Sequence, residues 1–153
     1  MCMKQSIKIT SDQMRLLALF DRVTHASARD CIEDEKQDRV TFVVEPGMMG
    51  RAIGKGGANI KSLEAAVGRS VDLVEFDEDP ARFIAKLFGP KLVLDSKLDK
   101  RHDGSAQVIL YVDPMKKGLV VGREGRNAER ARMLARRYFG IDKITISTRE
   151  GGA

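Results

Sequence analysis

The chain repeats itself at one fixed spacing. Glu45-Pro46 recurs as Asp113-Pro114, Gly50 as Gly118, Gly54 as Gly122, Gly57 as Gly125 and Asn59 as Asn127, in each case 68 residues later. The apolar runs 40–44 and 108–112 that precede these positions hold the same register, and so do Phe20 and Phe88. A period of this length exceeds that of solenoid repeats, and two copies cannot build a stacked array. The sequence therefore reads as one domain duplicated in tandem, and the 153 residues divide into halves near the lower limit for independent folding. The acidic stretch Asp77-Glu78-Asp79 marks the boundary, giving a first domain over residues 1–77 and a second over 78–153. It is too short for a flexible tether, so a nearly fixed angle between the domains is expected.

Both copies run through the same elements. Thr10-Ser11-Asp12-Gln13 has the pattern of a capping box and opens a helix that sets Leu16, Phe20 and Val23 on one face. Its counterpart starts at Asp79-Pro80, carries Ile84, Leu87 and Phe88, and stops at Gly89-Pro90. A short strand follows, around 29–33 and 91–95, and then a polar turn, 34–39 and 96–105, before the apolar strands at 40–44 and 108–112. After the proline come a short helix, a glycine-rich break, a longer helix and a last strand, at 71–76 and 143–148. The expected order is α-β-β-α-α-β, twice, in an α+β fold.

In both copies the two consecutive helices are joined by G-x-x-G: Gly54-Lys55-Gly56-Gly57 and Gly122-Arg123-Glu124-Gly125. A bare G-x-x-G also suits a tight helix-to-helix turn that needs positive φ. Recurrence at one place in a duplicated unit, after an apolar strand and between helices, points further. A glycine surface lets a sugar-phosphate chain approach the backbone, and the helix that follows offers unpaired N–H groups and a positive dipole end. Lys55 and Arg123 add charge for phosphate, while Glu124 opposes it between Arg123 and Arg126. On the second long helix Arg126, Arg130 and Arg137 fall on one stripe, with Ala131, Leu134, Ala135 and Tyr138 on another. Such a stripe suits either a solvated helix face or a track for phosphates, and Lys116 and Lys117 enlarge it. In the first copy Arg51, Lys55 and Lys61 are sparser. Ile53, Ile60 and Val121 suit either the wall of a base groove or the core.

These residues carry a resemblance. The arrangement resembles the KH fold, whose G-x-x-G loop clamps about four nucleotides of single-stranded RNA; the helix-first order implies two tandem KH domains of the prokaryotic type II. The segments 44–68 and 112–144 are similar to the paired KH domains of the NusA family in its short archaeal form, and the similarity runs from about Ile7 to Arg149. The resemblance implies single-stranded RNA as partner and a role in transcription termination or antitermination. The RNA-binding set it implies is Arg51, Ile53, Gly54, Lys55, Gly56, Gly57 and Lys61 in the first domain, with Gly122, Arg123, Gly125, Arg126 and Arg130 in the second. RNA polymerase is a candidate second partner, although bacterial relatives carry a polymerase-binding domain and a further RNA-binding module for which this chain has no room. The rival reading is an adaptor in which a degenerate KH pair docks onto polymerase or a ribosomal particle through protein contacts.

Other function classes find little support. A net charge of +5 permits an anionic partner without requiring one. G-x-x-x-x-G-K-[ST] fails, because Met49 stands at the first glycine and Gly56 follows Lys55 where a hydroxyl belongs; the dinucleotide fingerprint fails at Asn59. No nucleophile stands near a plausible base, so no enzyme activity, cofactor or small-molecule substrate is expected. His25 and His102 are isolated from each other and from cysteine, which leaves no metal site in view. Cys31 lies in an apolar run and is expected to be buried and reduced. No apolar stretch reaches membrane-helix length and the first turns lack a signal-peptide pattern, so a cytoplasmic protein that avoids membranes is expected.

Overall fold

The computed structural model describes residues 10–34, 38–89, 92–121 and 126–148, apart from the side chains of Val121 and Arg126. The described residues up to Phe76 form one compact unit and those from Asp77 onward a second. In the first, α1 (Ser11–Thr24) opens with the expected capping box: the Thr10 hydroxyl accepts from the Gln13 N–H at 3.2 Å while Gln13 Oε1 accepts from the Thr10 N–H at 3.0 Å. These bonds satisfy two of the donors that a helix start otherwise leaves open. The chain continues through β1 (Ala28–Asp34), β2 (Arg39–Val44), α2 (Met49–Ile53), a 3-10 turn (Lys55–Gly57), α3 (Ala58–Val67) and β3 (Ser70–Glu75).

The sheet order is β1-β2-β3, with β1 antiparallel and β3 parallel to the central β2. Parallel neighbours need a crossover, and α2, the turn and α3 supply it. The core forms where the helices cover the sheet: Phe20 of α1 stacks on Phe42 of β2 with centroids 4.8 Å apart, among Cys31, Val40, Val44, Ala52 and Leu63. Cys31 is buried, as its apolar setting implied, and its thiol donates to the Gln13 carbonyl at 3.6 Å.

The second unit repeats this plan with α4 (Pro80–Phe88), β4 (Val93–Lys100), β5 (Ala106–Val112), a 3-10 turn (Pro114–Lys116), α5 (Lys117–Val121), α6 (Arg126–Phe139) and β6 (Lys143–Thr148). Its sheet order is β4-β5-β6 with the same antiparallel and parallel pairing. The Asp79 carboxylate caps α4 by accepting from the Ala81 and Arg82 N–H groups, and Gly89 closes the helix. The α-β-β-α-α-β order thus holds in both halves. Even the irregularity recurs: β1 breaks register between Ala28 and Asp30, and β4 between Val93 and Asp95.

Two details differ from the sequence reading. β4 does not end near residue 95; it runs to Lys100, pairing Ser96 with Leu110 and Lys100 with Ala106, so the polar turn shrinks to residues 101–105. β4 is an edge strand, where charged and polar side chains are the normal means of blocking unwanted pairing, and such a segment reads as a loop. The shared register of Phe20 and Phe88 is also coincidental. Ala28 and Val93 pair with the equivalent Val44 and Val112, so the first strands lie 65 residues apart while the second strands keep 68. Phe20 stands four residues before the end of α1, a place taken in α4 by the fully buried Ile84, whereas Phe88 is the last residue of its helix. Among the described residues no helix is long and apolar enough to cross a membrane.

Candidate nucleic-acid interface

The approach to the first glycine turn is anchored at Glu45. Its carboxylate accepts from Arg29 Nε and Nη2, each at 2.8 Å, and the same guanidinium lies 3.6 Å from the centroid of Phe76. The Arg29 hydrogen bonds hold the Glu45 carboxyl below its ordinary value of 4.5. One arginine thus ties β1 to the exit of β2 and to the residue following β3. In the second unit the equivalent Asp113 acts otherwise, its carboxylate accepting from the Met115 N–H at 2.9 Å and capping the 3-10 turn.

Between α2 and α3 the chain turns through three glycines at positive φ: Gly54 at +75°, Gly56 at +64° and Gly57 at +78°. Their roles differ. With ψ at 170°, Gly54 lies in a region that only glycine occupies, and a Cβ there would stand 2.7 Å from Asn59 Cγ. Asn59 cannot readily yield, because its Nδ2 donates to the Arg51 carbonyl at 2.8 Å and braces the end of α2. At Gly56 and Gly57 a Cβ would meet no heavy atom within 4 Å, so their outer face is open. The first turn of α3 has no side-chain cap, which leaves its N-terminus to attract an anion. Lys55 and Lys61 are exposed and make no ion pair among the described residues, while Arg51, also exposed, donates to the His25 carbonyl at 3.4 Å. Ile53 is 37% exposed beside the turn, and Ile60 is half-buried. The sequence-predicted residues of the first domain, Arg51 to Lys61, therefore lie along one helix-turn-helix.

In the second unit Gly122, Arg123 and Gly125 lie outside the described residues, as does the side chain of Arg126. The frame around them repeats the first: Asn127 Nδ2 donates to the Leu119 carbonyl at 3.4 Å, the counterpart of the Asn59 brace. On α6 Ala131, Leu134 and Ala135 are buried, the face expected from the sequence. Of the arginine stripe, Arg130 and Arg137 lie on the flank of that face. Arg130 is half-buried and donates from Nη2 to the Leu87 carbonyl at 3.5 Å, at the end of α4, and Arg137 is half-buried too. Fully outward stand Arg132 and Arg136, which the sequence reading did not single out; a helical wheel drawn opposite Ala131, Leu134 and Ala135 points to them.

Charge is divided unequally. Residues up to Phe76 hold 11 Lys or Arg and 11 Asp or Glu, whereas those from Asp77 onward hold 16 and 11, so the whole +5 excess belongs to the second half. His25 and His102 are both exposed, and among the described residues no group of three or more His, Cys, Asp or Glu is placed to hold a metal ion.

A family model described as "KH domain" matches residues 17–77. The chain is similar to the probable transcription termination protein NusA of Methanocaldococcus jannaschii, at 31% identity over 140 residues, 92% of this chain and 75% of that one. It is also similar to the protein of the same name from Halobacterium salinarum, at 37% identity over 143 residues, 93% of this chain and 99% of that one. Among solved structures, the crystal structure of APE1850 matches with a TM-score of 0.76 and 36% identity, covering 90% of this chain and 99% of the other.

Proposed function

Because the chain belongs to the NusA family of KH-domain proteins, we propose that it binds single-stranded RNA during transcription termination or antitermination, through the G-x-x-G turns and adjoining grooves of two tandem KH domains. The observation that carries this reading is the division of labour in the first turn. Gly54 is fixed by packing against Asn59, while Gly56 and Gly57 keep an open backbone face beside the exposed Lys55 and the uncapped start of α3. Packing alone does not call for glycine where the surrounding space is empty, although positive φ favours it.

In this reading a phosphate sits against Gly56 and Gly57, drawn by the α3 dipole end and by Lys55, with Arg51 and Lys61 extending the positive field. Bases lie along the apolar wall at Ile53. Gly122, Arg123, Gly125, Arg126 and Arg130 supply a second set of phosphate contacts. Each KH unit takes about four nucleotides, and base edges that a duplex hides confer preference for single strands. The protein acts by binding, in the cytoplasm, and not as an enzyme.

A docking role, with RNA polymerase as the partner, has one specific observation in its favour: Met115 and Leu119 are 91% and 64% exposed where the first domain has Gly47 and Arg51. Fluorescence anisotropy with single-stranded RNA, single-stranded DNA and duplex RNA across a salt series separates the readings. A phosphate clamp gives tightest binding to single-stranded RNA with a clear salt slope. Weak binding to all three, without salt dependence, would sink the clamp and leave docking.

A further inference from the structure

The two copies carry different helices after the glycine turn. α3 ends at Val67 and spans 10 residues, whereas α6 spans 14 and reaches Phe139. The added turn is held down by aromatic packing: Phe83 of α4 meets Tyr138 and Phe139 edge-on, both with centroids 5.8 Å away. The outward side of the lengthened helix bears Arg132, Met133 and Arg136, which with Glu129 and Arg137 line a shallow surface depression.

The fold does not require these arginines. Sixty-eight residues earlier, at the equivalent positions of the first domain, stand Glu64 and Gly68. Arg136 gains from the negative end of the helix and from Asp142, whose carboxylate accepts from its Nε at 2.8 Å, but both groups are largely exposed and such pairs are weak. Arg132 lies nearer the middle of the helix, where the dipole does little, and it has no acidic partner among the described residues.

We infer that the exposed Arg132–Arg136 row of α6 is a second nucleic-acid contact surface, which grips the phosphates of RNA extending beyond the segment held at the glycine turns. The inference rests on the RNA-binding reading above. Charge complementarity selects the occupant: two guanidiniums one helical turn apart, on the half of the chain that holds the entire positive excess, match a phosphate backbone. Met133 between them offers an apolar contact to a sugar or base face.

The test compares the wild-type chain with Arg132→Gln/Arg136→Gln, checked for folding by circular dichroism, on RNAs of two lengths. One RNA, of about four nucleotides, fills a single KH unit; the other is several times longer. The inference predicts unchanged affinity for the short RNA and weaker binding of the long one. The salt slope on the long RNA should fall by about 1.4, two phosphate contacts at about 0.7 each on a single strand. Unchanged binding and slope on the long RNA overturns the inference, as does an equal loss on both lengths, which would place the row at the clamp or make it structural. If the variant spares RNA but loses a Glu-rich peptide that the wild type binds, the row serves an acidic protein and the inference fails. If the wild-type chain binds neither RNA, the RNA reading itself fails, a result separate from any effect of the row.

Discussion

At Gly54 and Gly56 two glycines of one short turn answer to different demands. Gly54 is held in a glycine-only conformation against Asn59, so Gly54→Ala adds backbone strain and steric overlap and should cost about 2–4 kcal/mol. Gly56 has positive φ but open surroundings, and Gly56→Ala should cost only about 1–2 kcal/mol. Urea denaturation of the two variants measures the difference; equal losses would mean that the Asn59 contact does not constrain the turn. The glycines themselves were legible in the sequence, and so was the pairing of Asn59 with Asn127. That the asparagine braces the preceding helix was not legible, because a side chain reaching back eight residues to a carbonyl leaves no local pattern. The flanking position of Arg130 was also hidden: a helical wheel separates faces but does not reveal that the end of α4 meets the arginine.

The elements follow local chemistry wherever that chemistry is strong. The capping box at Thr10, the Asp79-Pro80 start of α4, its Gly89 stop and the apolar central strands all lie where the sequence puts them. The outer half of β4 was missed, since its partner β5 and not its own composition decides its conformation. Between elements, the Arg29–Glu45 pair ties β1 to the β2 exit and makes stability depend on pH. Glu45 is held below 4.5, so its contribution is complete above that value and is lost as pH falls through the lowered one. Asp77, lowered first by the Asp79 N–H and then by Lys86, and Asp103, lowered by Ser105, act in the same direction from 3.8. The urea midpoint should therefore drop on acidification through this range, and Glu45→Gln should flatten part of the drop. An unchanged pH profile in that variant would show that the pair contributes no pH-dependent stability.

Over the whole molecule, duplication has left the fold and changed the charge. Both units keep one strand order, one register break and one asparagine brace, while the first is balanced in charge and the second carries the full excess. The duplication was legible because glycine, proline and asparagine at turns tolerate few replacements. The charge division is equally a property of the sequence, but it acquires meaning only when the compact units and the outward face of α6 are known. On the proposed RNA-binding reading, the second domain supplies most of the electrostatic attraction.

The central claim, that the first glycine turn holds the RNA phosphate chain, is tested most directly by Lys55→Asp/Gly56→Asp in the full chain. Both residues are exposed, a Cβ at Gly56 meets nothing, and Asp tolerates positive φ better than most residues, so the variant should fold. With folding verified by circular dichroism, the account predicts an affinity loss for single-stranded RNA of about tenfold or more and a shallower salt slope. A folded variant that binds single-stranded RNA as the wild type does would contradict the account.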